Sequence, residues 1–219
     1  MLKSILNTAA LCTLLLSSPL AGASNGTASL YFQFSDHHEP GFSGGEFIAN
    51  LSNGTTYRTF CLQRHESIGL GSNVTYAYTI DADGARSGVI SGGTPESISS
   101  AAASIFVAWL RGSIPNNPEN STAVQNAIWA IQGGLSEDEI QSIGGTALAL
   151  YNDAITNFST TDNAPTDNPL FRNIRALNPY RIIDGDVYTY QSQIIFIPLP
   201  AASGLALAGI ALITSRRRR

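Results

Sequence analysis

The chain carries two cysteines, Cys12 and Cys61, and the first falls in an apolar leader, so the exported molecule keeps Cys61 alone. Exported proteins ordinarily pair their cysteines, and a solitary one asks for a reason. Three readings stand open. Cys61 is a small buried hydrophobe, or it waits for an intermolecular disulfide, or it does covalent chemistry with another side chain. The third gains from residues 122–132, whose apolar spacing predicts a helix. At 3.6 residues per turn Gln125, Trp129 and Gln132 share a stripe that adjoins Val124, Ile128 and Ile131. A glutamine bordering an apolar face must find hydrogen-bond partners or cost about 1–3 kcal/mol. If Cys61, on a strand over 59–62, faces that helix, its thiolate could attack the Gln125 side-chain carbonyl, expel ammonia and leave a thioester. Phe60 and Trp129 would then keep water away from the bond.

Other chemistry-bearing groups are thinner. His37-His38-Glu39 lacks third and fourth metal ligands at a recognisable spacing and reads as a solvated turn, so no metal site is expected. His65 lies four residues after Cys61 and on a continuing strand would share its face, the minimum for a Cys-His hydrolase, but no oxyanion or third-residue signature accompanies it. Asp81-Ala82-Asp83-Gly84 resembles part of a calcium loop without the remaining ligands, and reads as a turn. Ile98, Ile105 and Trp109 recur at helical spacing and read as core.

The elements that must position Cys61 and Gln125 follow from patterning. Runs rich in β-branched and aromatic residues predict strands over 30–34, 46–49, 57–62 and 74–80, with Asn53-Gly54 as a hairpin turn. Thr94-Pro95-Glu96 reads as a helix start, with Thr as cap and Pro at the first helical position, the helix running to Gly112. Ser121 is expected to cap the next helix, which ends at Gly133-Gly134. Further helices are expected over 136–143, with an acidic first turn, and over 146–158. A polar loop over 162–169 and one last strand over 186–196 complete an α+β domain: an N-terminal antiparallel β portion, a helical middle and a C-terminal strand.

Residues 1–23, with Lys3, an apolar run, Pro19 and Ala21-Gly22-Ala23, read as a signal peptide removed by signal peptidase. Residues 24–193 form the exported domain. In the other direction, residues 194–219 hold an apolar stretch too short for an ordinary span, closed by Arg216, Arg217, Arg218 and Arg219, a cluster held on the cytoplasmic side. Between the two ends seven arginines stand against all sixteen acids, a formal charge of −9, which excludes nucleic acid as the main partner. Residues 24–200 contain no lysine.

Two resemblances add to this reading. Phe60-Cys61-Leu62-Gln63 and Val124-Gln125-Asn126-Ala127-Ile128-Trp129 resemble the paired signatures of the thioester domains of bacterial surface adhesins, over residues 45–151. In that family an aromatic residue, the thioester cysteine, an aliphatic residue and an acid form the first signature. Here Gln63 stands at the acid's position, with Glu66 close by in sequence. The resemblance implies an internal thioester between Cys61 and Gln125, flanked by Phe60 and Trp129. A lysine amine on a surface protein or matrix polymer would attack it to give an amide crosslink. Such a domain is a single-use covalent anchor, needs no cofactor, and is not a turnover enzyme. The missing lysines fit, since the chain then holds no side-chain amine to consume its own thioester.

Separately, Ile197-Pro198-Leu199-Pro200-Ala201, followed by a short hydrophobic helix and a basic tail, resembles the PEP-CTERM sorting class in its Val-Pro-Leu-Pro-Ala variant, with Ile in place of Val. That implies a Gram-negative bacterium, transient anchoring in the inner membrane, recognition of Pro198, Leu199, Pro200 and Ala201 by an exosortase, and delivery to the cell surface or extracellular matrix. The alternative to the covalent anchor is a noncovalent structural protein of the exopolysaccharide matrix in which Cys61 is simply core.

Overall fold

The computed structural model describes residues 29–41, 44–86 and 96–198. The expected signal peptide, the expected helix-capping residues Thr94 and Pro95, and the tail with Leu199, Pro200, Ala201 and Arg216 to Arg219 lie outside the described residues. No helix among the described residues is long and apolar enough to cross a membrane.

Runs rich in β-branched and aromatic residues form the first strands, β1 (Leu30–Phe34), β2 (Phe47–Leu51), β3 (Thr56–Cys61) and β4 (Ala77–Asp81). In β2, Phe47, Ala49 and Leu51 are buried while Ile48 and Asn50 are not, the period of two that a pleated strand imposes. The expected turn joins β2 to β3: Gly54 has φ of 84°, and the Thr55 N–H donates to Asn53 Oδ1 at 2.9 Å.

Among the described residues five α-helices follow: α1 (Ser100–Leu110), α2 (Pro118–Ile131), α3 (Glu137–Ser142), α4 (Gly145–Asn157) and α5 (Ala164–Asp167). Two expected starts are displaced. Glu96 is not in a first helical turn, because its N–H and C=O are both committed to a bridge with Ala85 at 2.9 and 2.8 Å. That bridge runs so close to Gly84, at φ of 125°, that a Cβ there would lie 2.0 Å from the Glu96 oxygen. The helix therefore waits for Ser99, whose side chain accepts the Ala102 N–H. Likewise Asn117, not Ser121, caps α2, accepting the Asn120 N–H at 2.8 Å with Pro118 at the first helical position. The acidic start of α3 is a full capping box between Ser136 and Glu139.

The C-terminal part differs more from expectation. The segment read as a polar loop contains α5 and a 3-10 turn at Pro169–Phe171. The strand expected over 186–196 is two, β6 (Asp186–Thr189) and β7 (Gln193–Phe196), and an unexpected strand precedes them, β5 (Ile174–Ile183). Asp184 and Gly185, both at positive φ, make the two-residue turn between β5 and β6. Residues 186–196 run antiparallel to β5 throughout, but Leu177 faces Gln193 whereas Tyr180 faces Thr189, a register change of one residue. This is a bulge, centred where Pro179 offers no N–H and its carbonyl accepts from Tyr190 at 3.1 Å.

The seven strands form one antiparallel sheet in the order β1-β2-β3-β7-β5-β4, with β6 on β5. It curls until its ends meet, as Leu30 and Tyr76 exchange two 2.8 Å backbone bonds. The result is the expected α+β class. On the outer face Phe60, Leu62, Ile174 and Ile194 pack against Phe106 and Trp109 of α1 and Val124 and Ile128 of α2. Within the curl, Phe32, Phe47, Tyr78, Leu177 and Ile195 enclose Cys61, and Trp129 and Ala130 close the space from α2. Each fully buried large side chain contributes about 1.5–3 kcal/mol.

Candidate functional site

Cys61 is the last residue of β3, and the strand it should pair with has already ended. The β2–β3 ladder stops at Phe47 opposite Thr59. Continuing that register would set Gly45 opposite Cys61, but the Glu46 N–H turns away to Ser121 Oγ at 2.8 Å. One helical turn further along α2, Gln125 fills the vacated position. The Cys61 N–H donates to Gln125 Oε1 at 2.9 Å, and Gln125 Nε2 donates back to the Cys61 carbonyl at 2.8 Å. Both residues are 0% exposed. The structure thus brings Cys61 and Gln125 side by side across 64 residues of chain, and it answers how a glutamine tolerates this apolar surroundings: its amide imitates a strand partner, leaving no buried polar atom of the pair unmatched.

The thiol meets a second set of amides. Cys61 Sγ donates to Gln191 Oε1 at 2.9 Å and accepts from Gln193 Nε2 at 3.3 Å, while Thr59 Oγ1 donates to Gln193 Oε1 at 2.7 Å. Gln191 Nε2 in turn donates to the Gln63 carbonyl. Burial pushes the Cys61 thiol up to about 12, against a smaller opposing effect of the Gln193 hydrogen bond. The thiol is therefore protonated at neutral pH, so the thiolate that would attack Gln125 is not the resting form. Gln191 and Gln193 were not anticipated; the available signal was their i, i+2 spacing with Ile195, which puts two amides on the buried face of a strand.

The neighbours expected around the pair divide. Trp129, 5% exposed, shares the interior cluster with Cys61. Phe60 does not, because adjacent residues of a strand point to opposite faces; it packs outward on Trp109 and Phe106 with edge-on rings 5.6 and 6.3 Å away. Gln63 is buried, its Oε1 accepting from Ser192 N–H at 3.2 Å and its Nε2 reaching Glu96 Oε2 at 3.4 Å. The Glu96 carboxyl thus lies beside Gln63. Burial raises the pKa of Glu66, and the Glu96 charge raises it further. Burial also raises that of Glu96, with Gln63 working against it.

The other candidates resolve structurally. His65 is exposed and lies beyond the end of β3, whereas Cys61 is fully buried, so the two do not form a catalytic pair. His38 stacks on Phe34 with centroids 3.6 Å apart, His37 sits edge-on to Trp109, and Glu39 accepts from Thr122 Oγ1 at 2.6 Å. No cluster of three or more metal-ligating side chains occurs among the described residues. Asp81 is taken up by Arg86, Thr79 and Asn178. Pro198 closes the described chain just after Ile197, whose N–H donates to the Asn173 carbonyl at 2.9 Å.

Chemically, the arrangement holds a carboxamide against the peptide group of the cysteine, with its oxygen already on a hydrogen-bond donor. Negative charge that develops on Gln125 Oε1 when its carbonyl carbon is attacked meets the Cys61 N–H without reorganisation. Full burial withholds water, the competing nucleophile.

No family model matches the sequence, and a search of curated proteins returns no match. Among solved structures, the chain is similar to the N-terminal thioester domain of fibronectin-binding protein SfbI from Streptococcus pyogenes. The two share 13% identity with a TM-score of 0.44, over 80% of this chain and 95% of that one.

Proposed function

We propose that this chain is an exported covalent attachment domain in which Cys61 and Gln125 form an internal thioester. In forming it, Cys61 Sγ bonds to the Gln125 side-chain carbon, and the amide nitrogen departs as ammonia carrying the thiol hydrogen. A primary amine on a surface protein or matrix polymer then attacks the same carbon. The carbon–sulfur bond breaks, the thiol is restored, and the partner is held by an amide. The domain acts once and is not a turnover enzyme. The observation that carries this reading is the reciprocal 2.9 and 2.8 Å pairing of the Gln125 amide with the Cys61 peptide group inside a fully buried site.

The proposal extends to the chain ends on sequence alone. Residues 1–23 are removed by signal peptidase; the segment that follows β7, with Pro198 to Ala201 and Arg216 to Arg219, holds the protein in the inner membrane of a Gram-negative cell until an exosortase releases it to the surface or matrix, while Ile194 to Phe196, expected as part of that tail, belong to the sheet.

The test is the intact mass of the exported protein before and after methylamine. A mass short of the sequence value by one ammonia, rising by one methylamine, supports the thioester, and Gln125→Ala must abolish both changes. An unmodified mass with an alkylatable thiol on unfolding favours the second reading, a noncovalent matrix protein with Cys61 as core. The complete burial of Cys61, which disfavours its thiolate, is the observation on that side.

A further inference from the structure

Sulfur must carry negative charge twice in the proposed chemistry, once when Cys61 Sγ attacks the Gln125 carbon and again when the carbon–sulfur bond breaks. Burial opposes that charge and holds the thiol at about 12. The pairing of β3 with β7 sets a donor against it. Cys61 stands directly opposite Gln193, between the Phe60–Ile194 pair and the Leu62 N–H that donates to Ser192 O at 2.8 Å. Such an unbonded pair is the closely spaced kind, with Cα atoms about 4.5 Å apart and both side chains on one face. Gln191, two residues along, shares that face. Gln125 reaches Cys61 from the other edge of β3, so Cys61 lies between the amide it would attack and two amides it would not.

Those two amides present opposite ends to the sulfur. Gln193 Nε2 donates to Sγ at 3.3 Å and to the Gln191 carbonyl at 3.2 Å, while its Oε1 accepts the Thr59 hydroxyl at 2.7 Å. Turning this amide over would set its oxygen against the Gln191 carbonyl, so its N–H is fixed on sulfur. Gln191 is oriented the other way: its Nε2 is spent on the Gln63 carbonyl, and its Oε1 accepts the thiol hydrogen at 2.9 Å. An N–H on sulfur strengthens as sulfur becomes anionic. A carbonyl oxygen there stabilises only the protonated thiol.

Resting on the thioester reading, we propose that Gln193 is a catalytic residue for both steps, its Nε2–H stabilising the charge that develops on Cys61 Sγ, while Gln191 holds the thiol in its resting protonated form. In closure the thiol hydrogen leaves Gln191 Oε1 and departs with the Gln125 nitrogen as ammonia, and sulfur bonds to the carbon. In opening, a primary amine bonds to that carbon and the carbon–sulfur bond breaks. The electron pair goes to sulfur, where Gln193 donates, and one amine hydrogen then restores the thiol. Thr59 is a positioning residue, since its hydroxyl fixes which end of the Gln193 amide meets sulfur. The donor is in place before charge appears, so it costs no rearrangement during the reaction.

The test is the rate at which methylamine opens the closed form of the full exported protein, followed by intact mass. Gln193→Met keeps the length of the side chain and deletes the donor, and should open about tenfold more slowly, a difference of about 1.4 kcal/mol. Gln191→Met makes the same exchange two residues away on the same face and should open no more slowly than the original chain. Thr59→Val leaves the Gln193 amide in place without the hydroxyl that orients it, and should slow opening by a smaller factor. A rate in Gln193→Met that is unchanged or faster, or equal slowing in Gln193→Met and Gln191→Met, overturns the role of Gln193 while leaving the thioester in place. Where Gln193→Met does not fold or does not close, Thr59→Val decides: slower opening upholds the role, and an unchanged rate overturns it. An original chain at its full sequence mass that methylamine leaves unaltered overturns the thioester and this proposal with it.

Discussion

Trp109 donates its indole N–H to Glu46 Oε1 at 2.7 Å, tying α1 to the residue at which β2 gives way to α2. The Glu46 side chain is 1% exposed and is also paired with Arg58, whose guanidinium lies 5.5 Å from the centre of the Trp109 ring. A charge so deeply placed persists only when paired and hydrogen-bonded. The contact fixes where β2 leaves the ladder, and through the Glu46 N–H on Ser121 it fixes the helix turn that carries Gln125 to Cys61.

Replacing Trp109 by Phe keeps an aromatic ring and deletes the donor. The expected loss is about 1.5–3 kcal/mol, the range for a hydrogen bond to a charged group, read as a lower denaturant midpoint at unchanged slope. In a Glu46→Gln background the same change should cost less, since the charge it serves is gone. Equal losses in both backgrounds would mean the ring's volume, not its N–H, is what matters.

The Glu139 carboxylate gives a cleaner electrostatic test. It accepts from the Ser136 backbone N–H, from Arg64 and from the Ser136 hydroxyl, which together lower its pKa to about 2. A lowered pKa contributes stability that is present above the ordinary carboxylate range and lost as pH falls toward about 2, so the start of α3 should loosen in acid. Carboxyl NMR titration should find Glu139 well below the other glutamates, and Arg64→Ala should move it upward. A midpoint among the other glutamates would remove the capping box from solution.

How much of this was readable beforehand depends on how local the determinants are. The first four strands and the Asn53-Gly54 turn follow from β-branched and aromatic runs and from turn chemistry within a few residues, although β4 begins at Ala77 and not at Val74. The starts of α1 and α2 were misplaced because Glu96 and Ser121 satisfy partners far away in sequence, Ala85 and Glu46. β5 escaped notice since Asn178-Pro179 looks like an interruption. In the folded chain Asn178 Nδ2 reaches Asp81 at 2.9 Å, and Pro179 sits at the bulge where a missing N–H does no harm. The Cys61–Gln125 pair was raised by a stripe on a helix and implied by the resemblance to the thioester-domain signatures, but the way it is made, with an amide standing in for a strand, depends on where β2 stops. Gln191 and Gln193 became visible only once β7 was laid beside β3.

Cleaving the contacts of Gln125 should expose that strand mimicry directly. Gln125→Ala orphans both the N–H and the carbonyl of Cys61, at about 1–3 kcal/mol for each group, beyond the loss of side-chain packing. Amide exchange at Cys61 should rise accordingly, by more than at Leu62, whose N–H is held by Ser192. Unchanged protection at Cys61 would show that something other than Gln125 closes the end of the strand.

The thiol itself predicts an alkaline signature. Its folded pKa of about 12 lies above the ordinary thiol value of 9.0 because burial penalises the thiolate. Below pH 9 both states are protonated and the group leaves stability independent of pH. Above it the unfolded chain releases the proton while the folded one retains it, so stability falls as pH rises toward the folded value. The slope from this one group approaches about 1.4 kcal/mol per pH unit within that window. Tyrosines contribute there too, so the readout is the difference between the protein with a free thiol and Cys61→Ala, measured by denaturant unfolding from pH 8 to 10.5. The difference should be flat up to about pH 8.5 and then narrow steadily as the free-thiol protein alone weakens from Cys61 ionisation. A thioester-closed protein has no thiol to ionise and should parallel Cys61→Ala until methylamine opens it, when the slope must appear; parallel curves in the opened protein would contradict the burial of the thiol.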